Sequence, residues 1–152
     1  MKNALQLSAF LMLILTACAA SRPKEPWLIQ VRTAGGFAGR GMGMYSIDSE
    51  GKVRIVRANG EACAYDATKD ELRRITELLA DAQPREWKPA YIPENSCCDR
   101  FEYLMIIDEA SVVTQTSWID DPLPMPPDLQ ALTDAIVGGE KSLRVTSAER
   151  CK

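Results

Sequence analysis

The chain has 152 residues, which points to a single domain. Its 46% hydrophobic and 26% charged residues are an ordinary globular composition, and this excludes wholesale disorder or a fibrous repeat. A formal charge of -3 argues against nucleic acid as a partner, since neutralising phosphates needs a basic surface. There are no histidines, which removes His-paired nucleophiles, His-ligated metals and imidazole acid–base chemistry together.

Met1-Lys2 makes a short charged start, and residues 4–17 form a mainly apolar run. That length suits a signal-peptide core and falls short of the ~20 apolar residues a bilayer-spanning helix needs. The run stops at Leu15-Thr16-Ala17-Cys18, which resembles the lipobox of bacterial lipoproteins. The residue types fit that chemistry, because the Cys18 thiol accepts the diacylglycerol group and small Thr16 and Ala17 admit the peptidase. Residues 1–17 are then the signal peptide, and 18–26 the acylated cysteine and a stiff tether carrying Pro23 and Pro26. The resemblance implies a cell-envelope location with the membrane as a partner through the acyl chains. Each buried methylene contributes ~0.8 kcal/mol to that anchor. Ala19, where Asp would retain the protein at the inner membrane, implies the outer membrane in a Gram-negative cell.

Four further cysteines, Cys63, Cys97, Cys98 and Cys151, are an even set, which outside the cytoplasm favours disulfides. A bridge between adjacent Cys97 and Cys98 is sterically awkward. The expectation is therefore that Cys63 pairs with one of these two and Cys151 with the other. A metal site is not expected, because no C-x-x-C spacing is present.

Along the mature chain, residues 27–32 alternate as a strand with Trp27, Ile29 and Val31 on one face. A glycine-rich connection follows over 34–41. Residues 42–48 and 52–57 form a hairpin around Ser49-Glu50-Gly51, a turn without the alternating oxygen ligands of a calcium loop. Thr68 and Glu71 are spaced as a capping box, and Leu72, Ile75, Leu78, Leu79 and Ala82 recur on one helical face until Pro84. Residues 84–100 read as irregular. Strands at 101–108 and 111–118 make a second hairpin, with Phe101, Tyr103, Met105 and Ile107 on one face. Asp128 caps a last helix to Val137, which Gly138-Gly139 stops.

The expected fold is α+β: one antiparallel sheet of about five strands, in the order β-β-β-α-β-β-α, with two helices packed on one face. Residues 27–139 should form the core and 140–152 a C-terminal tail stapled through Cys151.

The string from Gln30 to Gly39, with Gly35-Gly36-Phe37-Ala38-Gly39 at its centre, is similar to the opening of emfourin-like proteins. The helix around Asp70-Glu71-Leu72, the strand opening at Asp99-Arg100-Phe101 and the closing helix from Leu129 to Ile136 match that family's order. Ala34 stands where the family has Ser, and the later cysteines and the 84–100 segment are additions to its pattern. Emfourin inhibits thermolysin-like metalloproteases, so the resemblance implies a small domain that plugs a protease cleft. It makes Gly35, Gly36, Phe37 and Gly39 the partner-binding residues. The glycines themselves allow two readings. Phe37 is either an anchor offered to a partner's apolar pocket, or a core residue behind a wide glycine turn.

Catalysis is not expected. Asp108-Glu109 and Asp120-Asp121 are adjacent acids pointing apart, and neither a phosphate-loop nor a dinucleotide fingerprint is present, so no cofactor is implied. The combined reading is a lipid-anchored envelope binding protein and an inhibitor of an extracytoplasmic metalloprotease. The alternative is a structural or accessory envelope lipoprotein without a protease partner.

Overall fold

The alternation of Trp27, Ile29 and Val31 makes β1 (Trp27–Gly35) the strand around which a sheet assembles. The computed structural model describes residues 25–36, 43–96, 99–120 and 122–151. Cys18, Phe37, Gly39, Cys97 and Cys98 lie outside these described residues. After β1 come β2 (Gly43–Asp48), β3 (Lys52–Val56), β4 (Ala62–Asp66), α1 (Lys69–Asp81), β5 (Ala90–Tyr91), β6 (Phe101–Glu109) and β7 (Val112–Ile119). The chain ends in α2 (Pro127–Thr133), which continues as a π-helical turn over Asp134–Gly138, and α3 (Leu143–Arg150).

The fold is α+β with one seven-stranded sheet, in the order β4-β3-β2-β1-β6-β7-β5. It is mixed: β5 runs parallel to β7, and every other neighbouring pair is antiparallel. Five antiparallel strands were therefore too few. The edge strand β4 alternates small residues, Ala62, Cys63 and Ala64, so its apolar period is faint. β5 is two residues long and is held by tertiary bonds, with Thr116 Oγ1 donating to the Lys88 carbonyl at 2.8 Å.

Register decides which side chains are buried, because neighbouring strands place paired residues on the same face. Ile29 lies opposite both Ile47 and Ile107, and Val31 opposite Tyr45 and Met105. These residues form the covered face and share one core with Ile75, Leu79, Leu129, Leu132, Ile136 and Leu143 from the helices. The helices thus pack on one side of the sheet. The other side carries exposed Arg32, Arg54, Glu102, Asp108 and Gln115.

The local signals account for most of the elements. Thr68 Oγ1 accepts from the Glu71 N–H at 3.2 Å, and Glu71 Oε2 accepts from the Thr68 N–H at 2.7 Å, completing the capping box. Asp48 Oδ1 accepts from the N–H groups of Glu50 and Lys52, which pins the β2–β3 turn. The β6–β7 turn instead holds Ala110 (φ 51°) and Ser111 (φ 65°), both left-handed. A primed turn demands this, although neither residue is suited to it.

Two expectations fail at the C-terminal end. Asp128 does not cap α2, which starts after Pro126. Its carboxylate instead reaches across to the Gln83 N–H (3.0 Å) and to Trp87 Nε1 (2.9 Å). Burial opposes ionisation of Asp128, but those bonds outweigh it and hold its pKa below the ordinary carboxylate value. The segment expected to trail off is α3, which Ser142 caps and which buries Leu143 to 1% exposure.

Candidate functional site

β1 runs from the point where the described chain begins to the glycine segment, so these lie at opposite ends of the sheet. At the glycine end, Gly35 lies opposite Phe101 and has φ 80°. A Cβ there would run into the Arg100 carbonyl, and one on Gly36 (φ 72°) would strike the Phe101 ring. The Gly36 N–H donates to the Arg100 carbonyl at 3.0 Å. Both glycines are thus required where β1 closes against the start of β6. Phe37 and Gly39, expected to act with them, lie outside the described residues.

Beside this closure a cavity of about 240 Å³ opens between β6, β7, the end of α2 and the start of α3. Tyr103 and Trp118 stack nearly parallel in it, with centroids 5.4 Å apart and planes 2° apart. The pairing follows from register, since the two residues are directly opposed across β6 and β7. Met125 and Val137 add apolar lining. Charges of both signs also line it, namely Arg144, Asp120 and Asp134. Asp120 meets Arg100 at 3.5 Å, and Asp134 Oδ1 accepts from Gln130 Nε2 at 3.1 Å. Burial raises the Tyr103 phenol pKa above its ordinary value; the Arg144 charge partly offsets this, and Asp120 reinforces it.

The opposite end holds cavities of about 340 Å³, against the stretch after α1, and 150 Å³, beside Trp27 and Leu79. Asp108 and Glu109 project to opposite sides of the sheet there, as adjacent strand residues must. Among the described residues no helix is long and apolar enough to cross a membrane.

The cysteine pairing differs from expectation. Cys63 and Cys151 form a disulfide with Cα atoms 5.8 Å apart. The reason lies in two elements the sequence pattern hid. Cys63 sits opposite Ile55, on the covered face of β4, and α3 returns Cys151 to that face. Arg57 Nη2 fixes the end by donating to the Cys151 carbonyl at 2.8 Å.

Sequence reasoning singled out Gly35 and Gly36 but missed Thr133, Asp134 and Arg144, which the fold gathers around the aromatic pair. A weak signal was available: Ser142 ahead of a run without Gly or Pro is a helix start, and it would have moved Arg144 out of the supposed tail. No family model matches the chain, and no curated protein matches it in sequence.

Proposed function

We propose that the protein is a lipid-anchored envelope protein that grips a partner with the end of its sheet farthest from the membrane. The observation that carries this reading is the direction of β1. Its nine residues separate Trp27 from Gly35, roughly 26 Å at ~3.3 Å per residue. With Cys18 acylated, chain order puts the point of attachment on the Trp27 side of β1, so Gly35 lies at the strand end away from it. In a Gram-negative cell Ala19 sends the protein to the outer membrane.

The sharper form of the proposal makes the partner an extracytoplasmic thermolysin-like metalloprotease, inhibited without any reaction by the domain itself. Gly35, Gly36, Phe37 and Gly39 form the inserted segment in this form. It rests on the emfourin-like string. The positions of Gly35 and Gly36 also favour a second reading, an accessory lipoprotein, because the β1–β6 closure requires both glycines without any partner.

Two experiments test these statements. Palmitate should label the wild type and not Cys18→Ser, and the wild type should fractionate with membranes; an unlabelled, freely soluble wild type would refute the anchor. The mature protein, mixed in excess with a thermolysin-like protease, should slow peptide cleavage, and Phe37→Ala should weaken that effect. Undiminished cleavage would leave the accessory reading.

A further inference from the structure

We infer that β4 pairs with β4 of a second copy of this chain, joining the two sheets edge to edge around a two-fold axis at Ala64. This inference rests on neither the lipid anchor nor a protease partner.

Strand order sets the place. β4 is an edge of the sheet, with β3 on one side only. Antiparallel pairing alternates residues that bond to the neighbouring strand with residues whose backbone groups point away from it. Two flanking bonds fix the phase, from the Arg57 N–H to the Glu61 carbonyl and from the Ala67 N–H to the Gly51 carbonyl, each 2.8 Å long. In that phase Cys63 and Tyr65 bond to Ile55 and Val53. Ala62, Ala64 and Asp66 therefore aim their N–H and C=O groups outward, and all three residues are exposed. Among the described residues none supplies these groups with a hydrogen bond.

The residue types leave the edge open. Proteins blunt an exposed edge by shortness, proline, lysine or a bulge. The opposite edge does so, since β5 has two residues and follows Pro89. β4 does not. Its register against β3 runs unbroken from Ala62 to Asp66, without Pro or Lys. The strand is also held from within, by the Cys63–Cys151 disulfide and by Arg150 above the Tyr65 ring. An incoming strand meets a preformed template.

Self-complementarity selects the occupant. Only the register centred on Ala64 pairs all three outward residues of one copy with those of another. Ala64 then faces Ala64 of the second copy, and Ala62 faces Asp66. One residue further out, Glu61 faces Ala67. Each acid thus meets an alanine, whereas like charges directly opposed would destabilise the pair. Each is also neutralised within its own copy, Asp66 by Lys52 at 2.7 Å and Glu61 by Arg57 at 3.1 Å. The pairing uses the same edge of both copies, so it closes at a dimer.

The test is sedimentation equilibrium of the purified protein in a density-matched detergent. The wild type should show a concentration-dependent equilibrium between monomer and dimer. Ala64→Lys and Ala64→Glu each oppose two like charges at the two-fold, and each should weaken self-association about fivefold or more. Mixing the two variants should restore dimers containing one copy of each, which separates a lost contact from a lost fold. On mild oxidation Ala64→Cys should crosslink to itself above the wild-type background, and Ala62→Cys, which faces Asp66, should not. A wild type that stays monomeric up to about 1 mM would overturn the inference. So would a dimer that both charged variants leave intact, or one captured through position 62 and not through position 64.

Discussion

Arg150 Nη1 donates to Glu71 Oε2 at 3.0 Å, joining the last turn of α3 to the first turn of α1. The same guanidinium lies 4.9 Å above the Tyr65 ring on the edge strand β4. One carboxylate therefore serves both as half of a local capping box and as the clasp for a helix 79 residues away.

That double role gives Glu71 a pH signature. Burial opposes its ionisation, but the Thr68 N–H, the Thr68 hydroxyl and Arg150 outweigh burial and lower its pKa below 4.5. The unfolded chain therefore binds the proton more readily, and stability rises with pH across this range. The contribution is fully present above pH 4.5 and is lost as pH falls through the depressed folded value. Asp128, lowered from 3.8, adds to the same acid limb. Urea unfolding at stepped pH should show Glu71→Gln destabilised by about 1–2 kcal/mol at pH 7, with a shallower loss on acidification.

The disulfide closes a loop with a sequence separation of 88. Reduction, or Cys63→Ser, should lower stability by about 2–5 kcal/mol. Non-reducing peptide mapping should recover Cys63 linked to Cys151. Recovery of either residue joined to Cys97 or Cys98 instead would show that α3 docks differently.

Gly35 and Gly60 isolate the cost of close approach from that of backbone strain. Both have positive φ, yet a Cβ on Gly60 meets open space while one on Gly35 meets the Arg100 carbonyl. Gly60→Ala should cost about 1 kcal/mol, the strain alone. Gly35→Ala should cost clearly more in the same denaturant titration, because β1 and β6 must separate. Equal costs would mean that this strand end gives way freely.

The turn at Ala110 and Ser111 is a place where stability can be added. Both residues occupy left-handed conformations that Asn and Gly adopt more readily. The double change Ala110→Asn with Ser111→Gly should raise stability by about 1 kcal/mol, read as a higher melting temperature.

Much of this architecture is written locally. The alternation in β1 and β6, the capping box at Thr68, the apolar stripe of α1 and the glycine stop after Val137 each depend on neighbours within a few residues. Local chemistry also distinguishes the apolar start of the chain, with Cys18 at its end, from everything that follows. The sheet edges, the third helix and the cavity are of another kind. β4 and β5 have little apolar pattern and exist because β3 and β7 supply hydrogen-bond partners. α3 is anchored by Leu143, Arg150 and Cys151, whose partners lie far away in sequence. Thr133, Asp134 and Arg144 face the aromatic pair only after strand register has opposed Tyr103 to Trp118. Short-range periodicity therefore determined which segments are helix and strand in the centre of the domain. Long-range packing alone decided its edges, its cysteine pairing and its candidate site, because those positions are energetically favourable only once distant residues are already in place.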